Sequence, residues 1–229
     1  MNSMRSMKSQ QSGFTLVEIA IVLVIIGLLL GGILKGQELI NSAKVKALVN
    51  DIKIVSTQVY AYQDRFKAMP GDDPRAATNL TGGVAATTPA TSLANGRIEG
   101  SWNTTTTTDE ACLFWQHVRL ANLATGVTTV PANCDYLPLN SENGKLGITS
   151  AAVLTAPVNP FNGSFFVCTA NINGRFARQI DTTLDDGVPN TGSVRIIDGN
   201  NTSTAADAVT PAVLASNGDG YVYTVCAAF

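Results

Sequence analysis

Hydrophobic positions fall into two regimes along the first third of this chain. Residues 14–34 read FTLVEIAIVLVIIGLLLGGIL, 21 residues with one charge, Glu18. As a helix this run spans about 31 Å, enough to cross the hydrocarbon core of a bilayer. After Lys35 the pattern becomes periodic. Val45, Leu48, Ile52, Val55, Val59, Tyr62 and Phe66 recur at alternating spacings of 3 and 4, while Lys44, Lys46, Asn50, Lys53, Gln58 and Asp64 occupy the other face. That is an amphipathic helical stripe. No proline interrupts before Pro70. One continuous helix is therefore predicted from about Phe14 to about Phe66, roughly 80 Å long. The heptad-like run is too short for a coiled coil and stops at a Pro-Gly turn, so its stripe is expected to pack on a globular domain.

Met69-Pro70-Gly71-Asp72-Asp73-Pro74 ends that helix. Gly71 suits a turn, and Asp73-Pro74 reads as an N-cap followed by proline at the first helical position. Two carboxylates are too few for a calcium site of six to eight oxygens, so capping is the expected role. Residues 79–108 are a composition break, rich in Thr, Ala, Gly and Asn and ending in five threonines, Thr104 to Thr108. They are predicted to form an exposed, variable loop. A short helix, capped by Thr108 or Asp109, is predicted to about Leu123 and stops before Gly126. Residues 164–168 read as a strand, followed by a turn through Asn171 and Asn173. A helix with Phe176, Ile180 and Leu184 at four-residue spacing comes next and ends at Asp185-Asp186-Gly187. Residues 193–197 and 221–226 read as two further strands. The fold class is thus α+β.

Only 14% of the residues are charged. From Lys67 onward there are 8 Lys/Arg against 13 Asp/Glu, a net charge of −5. That balance gives no footprint for nucleic acid. The chain has no G-x-S-x-G, H-E-x-x-H or phosphate-loop pattern, and its one histidine, His117, sits in a helical pattern as a packed or surface residue. No enzyme activity and no cofactor are expected. The four cysteines, Cys112, Cys134, Cys168 and Cys226, include no C-x-x-C pair. With one histidine, a Cys/His zinc site has few ligands to draw on. An even, well-spread set behind a membrane-targeting segment reads as two disulfides rather than four free thiols. Of the three pairings, Cys112–Cys134 is favoured because it closes a short segment, and Cys168–Cys226 because it joins two predicted strands.

The peptide Gly13-Phe14-Thr15-Leu16-Val17-Glu18 before an apolar run resembles the cleavage and methylation motif of type IV prepilins and type II secretion pseudopilins. The resemblance extends through about Pro74. It implies a leader, residues 1–13, that a prepilin peptidase removes between Gly13 and Phe14. It also implies methylation of the new amine of Phe14, and pairing of Glu18 with an amine in a growing filament of pilin subunits. Residues 14–34 would then be the transmembrane and polymerisation helix, 35–66 its continuation into the head, and 67–229 an extracytoplasmic pilin head of the α/β-roll type. A start at Met7 would give MKSQQSG, a leader of the commoner length. Charge does not orient the span, since Lys35, Lys44 and Lys46 follow it and Arg5 and Lys8 precede it. The family implies the leader inside and the head outside. The expected location is the inner membrane, then an extracellular or periplasmic filament. Gly27/Gly31 and Gly32/Gly36 are small-residue pairs that let helices approach in lipid. The C-terminal half is similar, more loosely, to larger pilin-like proteins with Pro-Gly-Asp and Asp-Asp-Gly-x-Pro segments. Some pseudopilins hold calcium in an acidic C-terminal loop, which makes Asp181, Asp185 and Asp186 calcium candidates. Against this, a helix offers a cation few backbone carbonyls.

Overall fold

In the computed structural model, the described residues are 15–199, 204–217 and 220–229. Helix α1 (Leu16–Phe66) is continuous for 51 residues. The chain divides into two units, one ending at Ala43 and one comprising Lys44–Phe229. In the first unit the large apolar side chains from Leu16 to Leu34 are exposed. It carries the one helix, among the described residues, long and apolar enough to cross a membrane.

The second unit is an α+β head. After α1 come α2 (Ala76–Asn79), α3 (Glu110–Leu120), a 3-10 turn (Ala132–Cys134), β1 (Leu146–Thr149), β2 (Phe166–Asn173), α4 (Gly174–Leu184), β3 (Val194–Asp198), α5 (Pro211–Ser216) and β4 (Val222–Ala228). The strands form one antiparallel sheet in the order β1-β2-β4-β3. A long N-terminal helix with a small antiparallel sheet is the arrangement of the pilin fold. The stripe on α1 explains the layering: Val45, Leu48, Ile52, Val55 and Val59 are buried in one cluster with Trp115 and Val118 of α3, Ile148 of β1 and Val167 of β2. Burying such aliphatic side chains contributes about 1.5–3 kcal/mol each.

Several elements differ from the sequence expectation. Helix α3 is buried from Glu110 through Arg119 rather than along one stripe. Its polar residues stitch neighbouring loops to it: Gln116 accepts from the Val84 N–H at 3.0 Å, and Arg119 donates to the Val127 and Tyr136 carbonyls at 3.0 and 2.7 Å. Strand β2 continues to Asn173, and the residue expected to turn, Asn171, has a φ of 59° within an irregularity between Thr169 and Ile172. Asn173 instead caps α4, accepting from the Arg175 N–H at 3.0 Å. Strand β1 and helix α5 were not expected.

The stretch 79–108, expected to be exposed, has Leu80, Ile98 and Trp102 buried. Trp102 packs in a second cluster with Phe166 and Cys168 of β2 and Cys226 of β4. Its backbone carbonyl lies where a side chain at Gly147 would stand, so β1 needs glycine there. Asp73 accepts from the Arg75 N–H at 2.8 Å, but Arg75 rather than Asp73 is the N-cap, Pro74 precedes the helix, and α2 is a single turn.

Candidate functional site

At the start of α1, the Thr15 N–H and hydroxyl both donate to Glu18 Oε2, at 2.8 and 2.7 Å. The Glu18 N–H donates back to Thr15 Oγ1 at 3.3 Å. This is a capping box, in which a Ser or Thr and a Glu three residues later satisfy each other's orphan helix donors. Glu18 therefore does not stand bare in its apolar surroundings. Its charge is held by two donors at the positive end of the helix dipole. The signal for Thr15 was in the T-x-x-E spacing, which the reading of Glu18 as an intermolecular partner passed over. Gly13 and Phe14 lie outside the described residues. Val17, Ala20, Ile21, Val24 and Ile25 form a shallow apolar groove along the same unit. Apart from the helix's own backbone and each glycine's chain neighbours, no atom of the described residues lies within 4 Å of where a Cβ would sit on Gly27, Gly31, Gly32 or Gly36.

The cysteines form two disulfides, Cys112–Cys134 and Cys168–Cys226, with Cα separations of 5.9 and 4.0 Å. The second links residues directly opposite each other on β2 and β4. The first ties α3 to the 3-10 turn. Both lie in the head, and among the described residues no cysteine is free.

His117 is buried. Its Nδ1 accepts from the Gly71 N–H at 2.9 Å, and its Nε2 lies 2.8 Å from the Val84 carbonyl. Nε2 therefore carries the proton. Burial pushes its pKa down, so the ring is neutral and structural.

The structure brings Asp181, Asp185 and Asp186 together, with one carboxylate oxygen of each within 4.8 Å of the others. Their roles differ. Asp185 Oδ2 accepts from the Ser193 and Val194 N–H groups, at 2.5 and 3.0 Å. Asp186 accepts from the Val188 N–H at 2.9 Å and from the Thr191 hydroxyl at 2.5 Å. These bonds close the turn into β3. Asp181 is buried, and neither of its oxygens has a regular hydrogen bond. Burial first, then the charges of Asp186 and Asp185, push its pKa up to about 7. Arg195 opposes that shift, but its guanidinium is spent on the carbonyls of Gly192, Val194 and Pro160 at 2.7, 3.2 and 3.0 Å. With two of the three carboxylates already engaged by the turn, the trio falls well short of the six to eight oxygens calcium takes.

Residues 8–34 match the model of the prokaryotic N-terminal methylation motif. No curated protein and no solved structure matches the chain. The matched segment contains Gly13, Phe14, Thr15 and Glu18, and it supports the resemblance to type IV pilins and pseudopilins. It points to processing by a prepilin peptidase, to assembly with other pilin subunits and to membrane anchoring, and the pilin family is structural rather than enzymatic.

Proposed function

We propose that this chain is a structural subunit of a type IV pilus-like filament. It is made as a prepilin, cut between Gly13 and Phe14, methylated on the amine of Phe14 and polymerised through its N-terminal helix. The observation that carries the reading is the methylation motif at 8–34, whose residues from Leu16 onward lie on a helix with Glu18 as its one charge before Lys35. A helix whose apolar residues are exposed from Leu16 to Leu34 needs a cover. Lipid supplies it before assembly, and neighbouring helices supply it afterwards. Leaving lipid for a helix bundle changes little apolar burial, so packing and polar pairing decide the exchange. Glu18 is the residue equipped for that pairing, with the amine of Phe14 of another subunit as its counter-charge. In the membrane stage the chain crosses the inner membrane once, with its head outside the cytoplasm.

A pseudopilin of a type II secretion system is the alternative, since the same motif serves both. The Thr-rich stretch 79–108 favours a surface filament. The test has two arms. Intact mass of the membrane-extracted protein is expected to show a chain starting at Phe14 with one added methyl. Sheared surface filaments are expected to contain it. A chain beginning at Met1 or Met7 in cells with active peptidase ends the pilin reading. A correctly processed chain confined to the cell envelope selects the pseudopilin.

A further inference from the structure

Asparagine followed by glycine can react with its own backbone: the next amide nitrogen attacks the side-chain carbonyl carbon, and glycine hinders that attack least. Four such pairs lie within the described residues, at 95–96, 143–144, 162–163 and 173–174. Asn95 is exposed and has distinctive surroundings. The Gly96 N–H, on the attacking nitrogen, donates to Asp72 Oδ2 at 2.6 Å, while Asp72 Oδ1 holds the Ala94 N–H. Asn95 Oδ1 accepts from the Arg97 N–H at 2.8 Å. Asn95 Nδ2 donates to Glu99 Oε1 at 3.3 Å. The nucleophile, the carbonyl oxygen and the leaving nitrogen thus each have a partner suited to the reaction: a carboxylate, a backbone donor and a second carboxylate. By contrast, the Gly144 N–H donates to the Asn140 side-chain amide at 2.9 Å and the Gly174 N–H to the Tyr221 carbonyl at 3.1 Å, both neutral acceptors.

The backbone produces this arrangement. Ala94 and Gly96, with φ of 57° and 79°, wrap the chain around the Asp72 carboxyl. The bond from Oδ1 to the Arg97 N–H folds the Asn95 side chain back over the Gly96 peptide, which presents its carbonyl carbon to the nitrogen. Apart from its chain neighbours, no atom of the described residues lies within 4 Å of where a Cβ would stand on Gly96, so nothing else crowds the approach. The N–H bond to Asp72 lies in the peptide plane, whereas the nitrogen attacks through its out-of-plane electron pair. Holding the hydrogen therefore does not block the attack.

We propose that Asn95 is a self-modifying residue, converted to aspartate and isoaspartate through a succinimide whose closure Asp72 promotes. As the bond from the Gly96 nitrogen to the Asn95 Cγ forms, the nitrogen becomes acidic and its proton passes to Asp72, which returns it to solvent. The Arg97 N–H holds the negative charge that develops on Oδ1. Nδ2, now an amine, takes a proton from solvent, and Glu99 stabilises that cation. The bond from Cγ to Nδ2 then breaks, the carbonyl re-forms and ammonia leaves. Water opens the imide at either carbonyl, so one water is consumed, one ammonia is released and nothing is oxidised or reduced. Opening to isoaspartate lengthens the main chain between the two N–H groups that Asp72 holds, and either product adds a negative charge beside Glu99. The change is confined to residues 94–96. Ile98 remains bonded to Ser150 through its N–H and its carbonyl, and the Glu99 carbonyl to the Ala111 N–H.

Ageing the full-length protein in detergent at neutral pH, with isoaspartate quantified by peptide mapping, tests this. Asn162, exposed and also followed by glycine, is the internal reference. Isoaspartate is expected to form at residue 95 about 10²-fold faster than at residue 162, the lower end of what a positioned acid–base group contributes. Asp72→Asn is expected to bring residue 95 down to the rate of residue 162. A purely structural role for Asp72 predicts the opposite, since a loosened loop reacts faster. Glu99→Gln, which keeps the loop's other bonds, is expected to slow residue 95 as well, and it decides the matter together with the wild-type comparison if Asp72→Asn does not fold. Residue 95 reacting no faster than residue 162, or a rate that is unchanged or raised in a folded Asp72→Asn or Glu99→Gln, overturns the proposal.

Discussion

Glu18 and Gly71 show how a single side chain, or its absence, sets local structure at the start of α1 and in the turn after it. Thr15 holds the Glu18 carboxylate with two donors, so the acid sits in the helix at low cost. Glu18→Ala is expected to leave membrane insertion intact, because it removes a cost that reaches about 2.5–3.5 kcal/mol at the bilayer centre and less near the end of a span. Filament yield is expected to drop, since the incoming amine loses its counter-charge. Quantifying sheared filaments against membrane-bound subunit checks both halves, and an undiminished yield would show that Glu18 has no assembly role. Gly71 acts by having no side chain. Its φ of 94° and the nearby Glu110 carbonyl penalise any Cβ. Gly71→Ala is expected to destabilise the head by about 1–3 kcal/mol, read as a lowered denaturation midpoint, through strain and the loosened turn. An unchanged midpoint would mean that the turn relaxes freely.

Among the elements, the disulfides make the clearest contrast. Cys168–Cys226 closes a loop of sequence separation 58, and Cys112–Cys134 one of 22. Loop entropy alone assigns them roughly 4 and roughly 3 kcal/mol. Replacing both members of each pair by alanine is expected to destabilise the head in that order, as measured by urea unfolding under oxidising conditions. The reverse order would mean that the tie between α3 and the 3-10 turn matters more than the loop it closes. Legibility follows a similar logic of range. Helix α1 was readable because a stripe from Val45 to Phe66 repeats with helical period over many turns. The flanks of α4 and β3 were readable from Asp185-Asp186-Gly187. Strand β1 was not, because four residues including a glycine carry no period, and its glycine is explained only by Trp102 across the sheet. Helix α3 was placed, but not its burial on every side, since the loops that Gln116, His117 and Arg119 bind are distant in sequence. At the N-terminus Glu18 stood out as a lone charge, whereas its bond to Thr15 needed the capping geometry. The burial within 79–108 is not legible in the sequence because the average composition hides Ile98 and Trp102, which are fully buried.

On the scale of the whole molecule, the chain separates two kinds of surface. The first unit keeps its apolar side chains outside, and the chain from Lys67 onward carries a net charge of −5. That division suits a protein first solvated by lipid at one end and by water at the other. The head also stores its acidity unevenly, and a pH profile of its stability follows. Glu110 and Asp181 have folded pKa values raised to about 8 and about 7, from ordinary values of 4.5 and 3.8. A raised carboxyl stabilises the fold fully below its ordinary value, and that contribution is lost as pH rises through the folded value. His117 works the other way. Burial lowers its pKa from 6.5, so its contribution is lost as pH falls below that value. The opposing effects overlap in acid. Above about pH 6.5 the histidine is neutral in both folded and unfolded chains, while the two raised carboxyls still act. Stability to urea is therefore expected to decline between about pH 6.5 and about pH 8 and then to flatten. Asp181→Asn is expected to reduce the decline below about pH 7, and Glu110→Gln to remove the part that continues to about pH 8. Because each variant carries the neutral form permanently, each is also expected to be more stable than the parent at the alkaline end. A head whose stability is flat or rises over that interval would mean that both acids are ionised at neutral pH.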